Sequence, residues 1–160
     1  MKITALCESF DQVQTDVLVV TVFEDELQNL DHIQVLNEKL NGKISRLIER
    51  GEIQGKYKEF TMIHTDEIAA ERVLVMGLGK RAQLSLDKIR SVAAVSSRYN
   101  RRIHLHDMAI HCFSSFDIDP GESACAIVEG IILGMYRFDK YKKEKKGGMD
   151  VIESLKIVTT

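Results

Sequence analysis

The sequence predicts an α/β protein with a mixed, mostly parallel sheet held between helix layers. Three observations carry this. The stretch from Arg72 to Lys80, R-V-L-V-M-G-L-G-K, sets four consecutive apolar residues, Val73 to Met76, ahead of Gly77 and Gly79. An apolar run without alternation suits a strand covered on both faces. The glycines suit a sharp exit turn, because glycine reaches positive φ without a Cβ penalty. A segment opened by Ser85, L-D-K-I-R-S-V-A-A-V-S-S-R-Y, follows and reads as a helix. Finally, strand-like and helix-like segments interleave along the whole chain, the order expected of a sheet between helix layers.

Taken in order, Ile3 to Cys7 reads as a short strand and Val17 to Phe23, V-L-V-V-T-V-F, as a stronger, β-branched one. Glu24 to Asp31 carries four acidic residues and reads as solvated loop. From Ile33 to Ile48 the apolar positions Ile33, Leu36, Leu40, Ile44, Leu47 and Ile48 keep helical spacing. Asn41-Gly42 interrupts that stripe and predicts two short helices or a broken one. Gly51 and Gly55 mark a turn, and Lys58 to Thr65 alternates as a strand should. The helix after Ser85 keeps Leu86, Ile89, Val92, Ala93 and Ser96 on one face, and Arg101-Arg102 ends it where the dipole favours cations. Ile103 to Phe113 reads as a further strand. Asp119-Pro120 starts the next helix, with Asp as N-cap and the chain's only proline at the first helical position. That helix runs to Arg137. Its Gly130 and Gly134 sit four apart on one face, where the backbone is expected to press against a strand. Lys140 to Gly148 reads as a solvated loop and Val151 to Val158 as the last strand.

At 160 residues the chain reads as one domain. A chain of that size buries roughly 70% of its unfolded surface, so its core needs no disulfide or metal staple. The net charge of −2 supplies no global field to recruit nucleic acid. Cys7, Cys112 and Cys125 are odd in number and lack a C-x-x-C spacing, which reads as reduced, buried thiols of a cytoplasmic protein. No signal-peptide pattern opens the chain, and no apolar run approaches the ~18 residues of a membrane span.

Several residues invite chemistry. The glycine turn at Gly77 and Gly79 sits near a helix start, where backbone N–H groups bind anions. It fits neither G-x-x-x-x-G-K-[ST] nor G-x-G-x-x-G, so the reading is a structural turn. His104 and His106 would share one face of a strand, as two zinc ligands with Asp107 nearby, but His111 falls on the opposite parity and leaves the set incomplete. A hydrogen-bonded or solvated pair is the reading. His32 and His64 have no partner in sequence. Cys125 lies near a helix start that would lower a thiol pKa, but its apolar neighbours indicate packing. Lys140, Lys142, Lys143, Lys145 and Lys146 form the one basic run. Lacking Arg or aromatic readers after Tyr141, it reads as a solvated loop rather than a nucleic-acid site.

V-L-V-M-G-L-G-K and the later E-G-I-I-L-G-M-Y-R-F-D-K-Y-K together resemble the N-terminal domain of the leucyl (cytosol) aminopeptidases. Glu129-Gly130, Gly134, Tyr136, Phe138, Asp139, Tyr141 and Lys142 fill the second pattern. The resemblance implies a macrodomain-like three-layer fold over residues 1–160, with a metal-dependent peptidase domain following in the parent. It further implies a cytoplasmic hexamer holding two divalent ions, zinc or manganese, in that second domain. The family's metal-binding segments, G-K-G-x-x-F-D-S-G-G and N-T-D-A-E-G-R-L, are missing: Gly79-Lys80 continues as Arg81-Ala82. No catalytic, cofactor or metal residue is therefore assigned to this chain. Its own peptidase domain is the expected partner, and the sequence reads as a piece cut from a longer protein. Some bacterial members bind DNA, which keeps nucleic acid in view. Tyr136, Phe138 and Tyr141 are expected to anchor the core and a domain interface. The rival reading is a free-standing macrodomain-like module for ADP-ribose or a related nucleotide.

Overall fold

Parallel pairing dominates because most strands are joined through helices rather than hairpins. The computed structural model describes residues 1–113, 118–136 and 151–159. Six strands form one sheet: β1 (Lys2–Cys7), β2 (Val17–Val22), β3 (Phe60–His64), β4 (Arg72–Gly77), β5 (Asp107–His111) and β6 (Ser154–Thr159). Their spatial order is β1-β6-β5-β2-β4-β3, and only β3 runs antiparallel, along β4. The α-helices are α1 (Asp31–Lys39), α2 (Lys43–Glu49), α3 (Leu86–Arg102) and α4 (Pro120–Met135). The expected three-layer α/β/α architecture, with a mixed, mostly parallel sheet, is the one observed.

Strand periodicity divides the core in two. Leu18, Val20, Val73 and Val75 face Ile33, Leu36 and Ile44 of α1 and α2. Val17, Val19, Leu74 and Met76 face Ile89, Val92, Ile127 and Ile131 of α3 and α4. Both faces of β2 and β4 are thus covered, and Val73, Leu74 and Met76 have no exposed surface.

Local chemistry explains the boundaries. Asn41 (φ 52°) and Gly42 (φ 74°) take left-handed conformations, splitting the helical stripe into α1 and α2. The Asn37 side chain then ties the pair together, accepting from Ser45 N at 3.0 Å and donating to Ser45 Oγ at 2.7 Å. Asp119 Oδ1 caps α4 by accepting from Gly121 N and Glu122 N, at 2.8 and 3.2 Å. Ser85 caps α3 through Lys88 N.

Two expectations need correction. The strand expected from Ile103 begins only at Asp107, because α3 runs to Arg102 and His104 then turns the chain with φ 59°. Gly130 and Gly134 press against a helix, not a strand. A Cβ on Gly130 would lie 2.1 Å from Arg90 O, and one on Gly134 would lie 2.2 Å from Ser97 Oγ and 2.6 Å from Ala94 O. The glycines let α3 and α4 approach backbone to backbone. Arg137, where α4 was expected to end, lies outside the described residues, as does the lysine run.

Candidate functional site

In an open α/β sheet the natural crevice lies beyond the carboxyl ends of the strands, where neighbouring strands send their connections in opposite directions. Here that point falls between β2, whose chain continues towards β4, and β5, whose chain continues through α4 to β6. A cavity of about 220 Å³ opens there, lined by residues including Thr21, Phe23, Asp31, His32, Arg81, His111 and Phe113.

Two of its lining residues are histidines: sequence reading gave His32 no partner and set His111 on the opposite parity to His104 and His106. The rings of His32, in the first turn of α1, and His111, at the end of β5, have centroids 4.2 Å apart. Phe10 meets His111 edge-on at 5.0 Å, and Phe113 stands at 6.3 Å. His32 Nε2 lies 2.8 Å from Thr21 O. A carbonyl only accepts, so that nitrogen carries the proton. His111 Nδ1 is buried and has no hydrogen-bond partner among the described residues. Burial, with His32 beside it, pushes the His111 pKa down to about 3. Burial also lowers that of His32, against the opposing pull of the Thr21 carbonyl and Asp31. Both imidazoles are therefore neutral at pH 7. They form a packed polar pair, and among the described residues they belong to no metal-ligand cluster.

The glycine turn is closed to ligands by its own chain. Gly77 N donates to Glu59 O, Leu78 N to Val22 O and Gly79 N to Gly55 O, at 2.8, 2.9 and 2.9 Å. A Cβ on Gly77 would sit 2.0 Å from Lys56 O. The amides that a phosphate would need are engaged, and the close approach the glycines permit is to residues 55–57. The turn is structural.

His104 and His106, read as a hydrogen-bonded or solvated pair on one strand face, precede β5 and do not share a strand. His104, on its left-handed turn, lines a depression of about 490 Å³ with Phe60, Arg98, Tyr99, Arg101 and Arg102, whose charge repels a metal ion. There the Arg102 guanidinium lies 5.3 Å from the Tyr99 ring centre, and Arg101 Nη1 donates to Met135 O at 2.8 Å. His106 Nδ1 instead approaches Val151 O at 3.2 Å. Asp107 pairs with Lys156 Nζ at 2.6 Å. Among the described residues no three His, Cys, Asp or Glu side chains come together as a metal site.

The thiols depart from expectation. Cys112 is buried and its pKa is raised by burial, but Cys7 and Cys125 are exposed. Cys125 is not packed because its position on α4 faces away from α3. Tyr136 is likewise 73% exposed and anchors no core, whereas Phe138 and Tyr141 lie outside the described residues. No helix among the described residues is long and apolar enough to cross a membrane.

The profile of the cytosol aminopeptidase family, N-terminal domain, matches residues 19–145. The chain belongs to that family. A probable cytosol aminopeptidase of Sulfurihydrogenibium sp. is 32% identical over 150 residues, a match covering 91% of this chain and 29% of that protein. A tomato leucine aminopeptidase variant superposes with a TM-score of 0.81 at 21% identity, covering 99% of this chain and 32% of its own. The macrodomain of Mycobacterium tuberculosis DarG gives 0.71 at 14% identity, over 99% of this chain and 98% of its own. These two structures share the fold. The chain spans under a third of the length of the curated cytosol aminopeptidases it matches.

Proposed function

We propose that this chain is the non-catalytic N-terminal domain of a metal-dependent leucyl aminopeptidase of the cytoplasm. The parent would release N-terminal, leucine-like residues from peptides through water activated by two divalent ions, zinc or manganese. Those ions would be held in a C-terminal peptidase domain beyond residue 160. Within a hexamer, this domain would contribute subunit contacts and shape access to the active site. The supporting observation is the family match over residues 19–145 in a chain that covers only 29% of a full-length relative.

The test is leucine-p-nitroanilide hydrolysis with manganese or zinc. The 160-residue chain should release nothing, whereas the product of the extended reading frame should turn over in a metal-dependent way. Metal-dependent turnover by this chain alone would overturn the reading.

A second reading, a free-standing module for ADP-ribose or a related nucleotide, draws support from the matched lengths of this chain and the DarG macrodomain. The engaged amides of the glycine turn weigh against it. Calorimetry with ADP-ribose separates the two: tight binding by a gene product that ends with this domain would favour the module.

A further inference from the structure

A helix that is apolar on every side is covered on every side, whereas a surface helix keeps a polar outer face. α4 breaks the second pattern. Its inner face packs on α3 through Gly130 and Gly134, yet its outer face carries exposed Cys125, Ile132, Leu133 and Tyr136. Cys125 and Ile132 stand seven apart, and Ile132 and Leu133 stand four and three before Tyr136, so they share one helix face. Ile132, Leu133 and Tyr136 are 51%, 62% and 73% exposed, more than any other large hydrophobic residue among those described. Two carboxylates share this face: Glu122, in the first turn, and Glu129, which pairs with Arg90, 2.7 Å away; Arg90 also holds Asp87.

We propose that this face of α4 is the docking surface for the remainder of the parent chain. The proposal rests on the reading that a longer parent exists. Two observations choose this occupant. A contact between domains of one chain buries about 600–1,500 Å² in total, and covalent linkage supplies the effective concentration that area does not, so a patch of a few exposed side chains suffices for a tethered domain. The share of length supplies the occupant: this chain covers 29% of one relative and 32% of the tomato enzyme, so the larger part of such a protein lies outside it.

Cys125 lies on the proposed surface and serves as a built-in reporter. With Cys7→Ser removing the other exposed thiol of this domain, alkylation of Cys125 by N-ethylmaleimide is followed by peptide mass spectrometry. It is measured in the natural full-length product and in the 160-residue chain. In the full-length protein the rate should be slower by roughly tenfold or more, set by local opening. That protection should persist on dilution, and Leu133→Lys in the full-length protein should relieve it.

Equal rates in the two proteins would overturn the proposal. So would protection already present in the 160-residue chain, which would mean that the domain covers α4 by itself. Protection lost on dilution would assign the face to a second copy instead. The functional reading is judged separately, by the intact mass and the peptidase activity of the natural product. An active, full-length enzyme with freely reactive Cys125 would defeat the docking surface and leave the family function standing. A natural product no longer than this chain would defeat both.

Discussion

Two neutral imidazoles 4.2 Å apart make the sheet crest sensitive to protons. Because the folded-state pKa values of His32 and His111 are depressed, the unfolded chain binds more protons in acid, and stability is lost as pH falls below about 6.5. For His111 the loss continues towards its folded value of about 3. The charged neighbours, Asp31 and Arg81, have opposite signs and do not cancel this trend. The variant His111→Phe, which keeps an aromatic ring between Phe10 and Phe113, should flatten the profile. At pH 5.5 it should be spared a loss of about 1 kcal/mol relative to pH 7.5. Urea melts at the two pH values measure this, and parallel wild-type and variant profiles would contradict it. The pair was not legible in the sequence, because β5 and α1 meet only through strand order and neither histidine has a local signal. Asn41-Gly42 and Asp119-Pro120 were legible because their effect is confined to adjacent residues. The left-handed turn at His104 was missed for the converse reason: a non-glycine residue makes it, and I-H-L-H alternates like a strand.

At the scale of elements, the contact between α3 and α4 depends on two missing side chains. Gly134→Leu gains up to about 1 kcal/mol in helix propensity but forces apart a contact in which even a Cβ would meet Ser97 Oγ at 2.2 Å. Overpacking should win by about 1–3 kcal/mol, lowering the melting temperature. A rise would show that α4 can move away from α3 at little cost. Leu74→Asp tests the central strand, where Leu74 has no exposed surface. A carboxylate buried there without a partner should cost about 4 kcal/mol or more, and a melt that barely moves would be incompatible with coverage on both faces. The four-residue spacing of the glycines announced a close approach. It did not say what approaches, since helix and strand backbones both fit against a surface without Cβ atoms.

At the scale of the whole molecule, β6 sits between β1 and β5, and among the described residues β1 has no other strand beside it. Ending the chain at Glu153 removes Leu155, Ile157 and Val158 from the core. At about 1.5–3 kcal/mol for each apolar side chain, the loss is comparable to the whole stability of a typical domain. Residues 1–153 should therefore lose cooperative unfolding, which circular dichroism during a urea titration would detect; a two-state transition at the wild-type midpoint would refute this. The three-layer class was legible from apolar runs and helical stripes, since each reports how many of its faces are covered. Strand order was not, because it is fixed by contacts between residues distant in the chain.

The same insertion governs how the domain is made. A ribosome delivers β1 first and β6 last, so the first strand emerges with its place in the sheet still untranslated. Until residues 154–159 emerge, the nascent chain presents two unpaired edges, that of β1 and that of β5. Such edges are templates for pairing with other chains. Folding of this domain therefore waits until residues 154–159 are available to fill the gap between β1 and β5.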